Sequence, residues 1–235
     1  MTELGKLYRP SDGEPPYNDI VPVYQGAFAG YPWFEISKCP DKEKRCKSGM
    51  SRVAVGHACD RCGLAPTDPA YEEKELVDKF TGIRESRPTS WYIEWIDGNL
   101  SLAALAWRAS PESIATERYP DSPGMQEWLP SAVHGNGEIM WLDEVFADKS
   151  VRPSGNLANF GASTEMLAAS LGCGTVAYRT INPAMTQVAR RDFSDQSELF
   201  AGARKGAKSP ANSFSGAVPD WRDFVVINLN NQERL

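Results

Sequence analysis

Apolar positions along the chain recur at two spacings. Ile20, Val21, Val23, Tyr24, Ala27 and Phe28 follow the three-to-four-residue recurrence of a helix over Ile20–Ala29. Pro22 then belongs in its first turn, where a missing N–H is tolerated, and the segment from Gly30 to Trp33 ends it. Leu76, Val77 and Phe80 predict a second helix over Tyr71–Phe80, with a charged outer face. Two β-like runs, Ser90–Ile96 and Ser101–Ala109, flank Asp97-Gly98-Asn99 and predict a hairpin. Leu4–Tyr8, Glu138–Ala147, Cys173–Thr180 and Trp221–Leu229 read as further strands. Leu157, Phe160, Leu167 and Leu171 return to helical spacing, and Pro183–Arg191 reads as one more helix. Residues 110–137, rich in Pro, Ser and Gly, predict an irregular surface excursion, and residues 201–219 a loop. The order β-α-α-β-β-β-α-β-α-β fits one α/β (α+β) domain over residues 1–235.

Residues 36–68 break this rhythm. They carry Cys39, Cys46, Cys59 and Cys62 in a C-x6-C, twelve-residue, C-x2-C arrangement with little apolar periodicity. A C-x2-C knuckle presents two thiolates to one ion without strain, and Gly63 after Cys62 suits the tight turn. Four such ligands leave no open position, so the expectation is a structural Zn2+ insertion between the first two helices. His57 is an alternative ligand for one sulfur, and Cys173 reads as a buried apolar residue.

Composition narrows the setting. A net charge of -6 disfavours nucleic-acid binding. Short apolar runs and the polar first residues offer neither a membrane span nor a signal peptide, which predicts a cytoplasmic protein.

One corner carries chemistry. Val151-Arg152-Pro153-Ser154-Gly155-Asn156-Leu157-Ala158 joins the strand ending at Ala147 to the helix that follows. A helix N-terminus offers unpaired N–H groups and partial positive charge, Gly155 permits close approach, and Ser154 or Asn156 can cap. The strand, corner and helix order, together with Arg152 and Gly155, resembles the [QR]-x-x-G-x-[GA] motif of the GCN5-related N-acetyltransferase (GNAT) family. The stretch from Val23 to Glu35 (VYQGAFAGYPWFE) also resembles first-helix wording of some members. The motif differs at Leu157, where a small residue is usual, and Pro153 has no N–H to give.

That resemblance implies a GNAT-like, mixed, mostly antiparallel sheet flanked by helices. It implies acetyl-CoA with its pantetheine arm along Val145, Phe146 and Ala147. The pyrophosphate would lie over Arg152, Ser154, Gly155, Asn156, Leu157 and Ala158, and Asn182 would contact CoA. Many members place a Glu five residues before that Asn and a Tyr seven after it; here these positions hold Ala177 and Ala189. Some members carry a base on the fourth strand, at the parity of Asp143. Strand alternation puts Asp143 with Trp141, Val145 and Ala147, and Glu144 on the other face. Asp143 is therefore the favoured base, Glu144 the alternative, and Tyr178 the candidate acid.

The reading is an N-acetyltransferase moving acetyl from acetyl-CoA to an amine, on a small molecule or a protein, by direct attack in a ternary complex. The alternative is a catalytically silent GNAT-fold protein that binds acyl-CoA or a protein partner through its zinc loop. A homodimer is compatible with either.

Overall fold

The computed structural model describes residues 5–30, 33–40, 49–64, 67–133, 137–148, 160–180, 183–193, 197–200 and 223–229. Strand β1 (Lys6–Tyr8) leads through a 3-10 turn (Pro10–Asp12) into helix α1 (Tyr17–Phe28). The helix starts three residues before the expected point because Tyr17 extends its buried stripe of Ile20, Val21, Tyr24, Ala27 and Phe28. Pro22 consequently lies inside the helix rather than in its first turn. Helix α2 (Glu73–Ser86) runs past Phe80, carrying Ile83 onto the core. No helix of the described residues is long and apolar enough to cross a membrane.

Between α1 and α2 the chain makes a small three-stranded sheet of β2 (Ser37–Lys38), β3 (Met50–Ser51) and β4 (Asp68–Pro69). Then follow β5 (Thr89–Ile96) and β6 (Asn99–Ala109), the predicted hairpin. Its turn places Asp97 at φ 50° and Gly98 at φ 76°, the left-handed pair that an Asp-Gly two-residue loop favours.

Residues 110–137 are not the irregular excursion that their composition suggests. They form helices α3 (Pro111–Arg118) and α4 (Pro123–Ala132). Their Ser-Pro pairs start helices instead of interrupting them. Ser110 accepts a hydrogen bond from the Ser113 N–H at 3.2 Å, and Pro111 takes the first helical position, where its lost donor would be unpaired anyway.

The remaining elements are β7 (Ile139–Ala147), α5 (Phe160–Leu171), β8 (Thr175–Thr180), α6 (Pro183–Asp192), β9 (Ser197–Phe200) and β10 (Asp223–Asn228). Strand β9 has no counterpart in the expected order. The main sheet has seven strands in the order β1-β5-β6-β7-β8-β10-β9. Every neighbouring pair is antiparallel except β7 and β8.

The sheet separates two apolar layers. On one face Leu102, Ala104, Met140, Leu142, Val176 and Tyr178 meet α5 and α6. On the other, Trp91, Ile93, Leu105 and Phe146 meet α1 and α2, while Trp107, Trp141, Ala177 and Phe224 meet α3 and α4.

Candidate active site and cysteine cluster

Strands β7 and β8 run together only briefly. Their parallel pairing is confined to Ile139–Trp141 against Thr175–Ala177. Beyond it β7 continues to Ala147, paired on its other side to β6, and β8 continues to Thr180, paired to β10. Among the described residues, β7 and β8 are therefore not paired with each other beyond Trp141 and Ala177. This is the parallel junction of the sheet.

A bulge sits on the β7 side of this junction. Leu105 pairs with Glu144 and Ala106 with Leu142, leaving Asp143 as an extra residue. A bulge resets the alternation of side chains along a strand. Val145 and Ala147 accordingly face α5 and α6 with Met140 and Leu142, not with Trp141 as strict alternation predicts. Glu144 lies on the opposite side of the sheet, the side of Trp141, Asp143 and Phe146.

The adjacent carboxylates have different environments. Oδ1 of Asp143 accepts from Arg118 Nη2 of α3 at 3.0 Å and from Trp141 Nε1 at 2.8 Å. This ion pair ties α3 to β7. Glu144, with its side chain 14% exposed, accepts from Lys79 Nζ of α2 at 2.5 Å and from the Tyr24 hydroxyl of α1 at 3.1 Å. Burial raises the pKa of Glu144 and the neighbouring Asp143 raises it further, while the Lys79 ammonium and the hydrogen bonds oppose this. The Lys79 ammonium also stands 5.4 Å from the centre of the Tyr24 ring and 5.5 Å from that of Phe80. Glu144 is thus paired in the resting chain with the alkylammonium group of Lys79.

Tyr178, on the α5/α6 face, donates to the Met185 carbonyl at 3.0 Å and pins α6 to β8; burial raises the pKa of its phenol. Cys173 is buried ahead of β8, its thiol pushed up to about 11 mainly by burial, as expected of an apolar packing residue. Ala177 and Ala189 are both buried. Of the expected CoA contacts, Val145, Phe146 and Ala147 line the end of β7. Arg152, Ser154, Gly155, Asn156, Leu157, Ala158 and Asn182 lie outside the described residues.

The cysteines assemble apart from both cores. The sulfurs of Cys39, Cys59 and Cys62 all lie within 4.8 Å of one another. Cys39 Sγ and Cys62 Sγ are 3.3 Å apart, too far for a disulfide, and none of the three cysteines is disulfide-bonded. Tetrahedral thiolates around one zinc stand about 3.7 Å apart, given Zn–S bonds near 2.3 Å. The knuckle is shaped by a Gly63 N–H to Cys59 carbonyl bond at 2.8 Å, with Gly63 at φ 73°. Among the described residues of 36–69, the buried ones are Ser37, Cys39, Ser51, Cys59 and Thr67, while Ile36 and Val55 are exposed. With so little aliphatic core beside them, three converging sulfurs are a donor set that fits a metal ion. His57 is exposed and outside the cluster, and Cys46 lies outside the described residues.

No family model matches the chain, and no curated protein matches it in sequence. Solved structures match its fold. An insect protein assigned as arylalkylamine N-acetyltransferase 7, from the yellow fever mosquito, superposes with a TM-score of 0.52 at 10% identity, over 96% of this chain and 94% of that one. The fold is GNAT-like. The C-terminal condensation domain of Ebony, solved with beta-alanyl-dopamine, gives a TM-score of 0.51 at 10% identity, over 96% of this chain and 98% of that one. The ribosomal-protein-alanine N-acetyltransferase of Brucella melitensis aligns at 0.44, with 10% identity over 97% of this chain and 100% of that one. At such identities the GNAT-like likeness concerns architecture alone.

Proposed function

We propose that this chain is an acyl-CoA-dependent N-acyltransferase in which Glu144, rather than Asp143, is the general base. The observation that carries the reading is the end of the β7–β8 pairing after Trp141 and Ala177, with Glu144 on β7 just beyond it, where the two strands would open. A thioester threaded into that opening would meet backbone of Val145, Phe146 and Ala147. Its pyrophosphate would rest on the corner holding Arg152, Ser154, Gly155, Asn156, Leu157 and Ala158, with Asn182 nearby.

The acceptor amine would arrive from the α1/α2 side and take the place at Glu144, Tyr24 and Phe80 that the Lys79 ammonium holds, with Lys79 swinging out to solvent. Glu144 takes one N–H proton and the freed amine attacks the thioester carbonyl in a ternary complex. A raised pKa suits Glu144 to act as a base near neutral pH. Tyr178 would serve as acid toward the leaving thiolate only by releasing the Met185 carbonyl. Cys39, Cys59 and Cys62, joined by Cys46, would hold a structural zinc.

The test is calorimetry with acetyl-CoA followed by CoA release across an amine panel. Turnover lost in Glu144→Gln and kept in Asp143→Asn supports the assignment; the reverse pattern overturns it, and no acetyl-CoA binding overturns the whole reading. The buried alanines Ala177 and Ala189, at positions where many GNAT members carry proton-transferring residues, favour a second reading as an acyl-CoA binder without turnover. Tight binding with no CoA release from any amine would establish it.

A further inference from the structure

An amine of this chain already stands against the candidate base. Nζ of Lys79 lies 2.5 Å from Glu144 Oε1 and 3.4 Å from the Tyr24 hydroxyl, and its ammonium faces the Tyr24 and Phe80 rings. Helix α2 limits where that amine can go. One turn before Lys79, Glu75 accepts from Lys38 Nζ at 2.8 Å, which ties α2 to the cysteine-bearing excursion between α1 and α2. The Tyr24 ring is held on two sides. It stands edge-on to Phe146 of β7 and to Tyr71, each with its centroid 5.1 Å away, and Tyr71 donates to Glu35 Oε2 across the neck of the excursion. Lys38 faces Glu72 and Glu75, carboxylates that are half exposed or more, whereas Lys79 faces a carboxylate that is mostly buried.

We propose that Lys79 is a site of self-acylation, its side-chain amine taking the acetyl group from acetyl-CoA bound to the same chain. The donor rests on the acyl-transfer reading; the placement of the amine at Glu144 is a property of the resting chain. While an acceptor holds the place at Glu144, Lys79 is displaced from it. With donor bound and no acceptor, Lys79 is the amine in reach.

Glu144 takes one proton from the Lys79 ammonium, and the freed amine attacks the thioester carbonyl. The C–N bond forms and the C–S bond breaks. A second amine proton leaves with the thiolate as the CoA thiol, and the third stays on the amide nitrogen. Glu144 then returns its proton to solvent. Burial chiefly raises the pKa of Glu144, which suits it to the first of these steps. The product amide is neutral and does not pass its acetyl group to a second amine, so it is a lasting modification rather than an intermediate. Glu144 thereby loses its counter-charge.

The test incubates the full-length protein with acetyl-CoA and no added amine, and follows each lysine by peptide-mapping mass spectrometry. Lys79 is expected to gain acetyl at least about tenfold faster than Lys38 or Lys74, at a rate independent of protein concentration, because its amine is already in place. Folded Glu144→Gln should slow the labelling of Lys79 by at least about tenfold and leave the other lysines unchanged. Lys79→Arg, which keeps the ion pair without an amine to acylate, should remove the fast phase. In the wild-type protein alone, labelling of Lys79 no faster than of Lys38 and Lys74, or at a rate that climbs with protein concentration, overturns self-acylation. Equal labelling of Lys79 in folded Glu144→Gln does the same. CoA release from added amines with Lys79 unmodified removes self-acylation and leaves the acyl-transfer reading standing, whereas a lack of acetyl-CoA binding removes both. Fast labelling of Lys79 with no amine turned over keeps self-acylation and removes transfer to free acceptors.

Discussion

Glu144 and Asp143 are neighbours in sequence with opposite fates. Asp143 is held by a guanidinium and an indole N–H, whereas Glu144 is buried with one ammonium and one phenol. Because the folded pKa of Glu144 is raised, the folded state binds its proton more tightly than the unfolded chain does. Its contribution to stability is therefore fullest below the ordinary carboxylate pKa and is lost as pH rises toward the folded value. Activity runs the other way, because the base must be deprotonated. The pH–rate profile should rise through an acid limb displaced above the ordinary carboxylate range. Lys79→Met, which removes the charge that lowers this pKa, should move the limb to still higher pH; a limb that stays put would remove Lys79 from the titration. Glu144→Gln is expected to lower kcat by about 10²–10⁴, the usual contribution of a positioned base, measured as CoA release under saturating amine.

The hairpin, the long β7 strand and the helical stripes of α1, α2 and α5 were legible because each buries one face at a fixed period. The bulge was not: an extra residue leaves no mark in the pattern, so strict alternation puts Val145 and Ala147 on the face of Trp141, whereas they lie on the α5/α6 face. Helices α3 and α4 were missed for a related reason, since Ser-Pro pairs read as breaks unless the following residues are recognised as helical. The contact of Tyr71 with Glu35 joins residues 36 apart in the chain and had no local signal. The importance of α4 is checked at Leu129, fully buried between it and the sheet. Leu129→Ala should destabilise the protein by about 2–5 kcal/mol in denaturant unfolding, as a core truncation that leaves a cavity.

For the whole molecule, two separate supports are at work: an apolar sheet–helix sandwich and a sulfur cluster with almost no apolar backing. With the proposed zinc in place, a chelator should raise hydrogen exchange across residues 36–69 while β5, β6 and β7 stay protected, and native mass spectrometry should find a metal in the wild-type protein and none in Cys59→Ser. Uniform loss of protection would show that the sandwich depends on the ion. Acetyl-CoA at one hundred times its Kd should stabilise the fold by about 2.7 kcal/mol, read as a raised Tm, if it binds the native state alone.

The antiparallel pairing of Ser37 with Pro69 also bears on ancestry. It brings the start and finish of the excursion to within about 5.5 Å, the spacing of paired strands, so a short turn could bridge them. A lineage could thus acquire or shed this cassette in one genetic event with the seven-stranded sheet intact. Tyr71 and Glu35, just outside the joint, would remain behind as its scar.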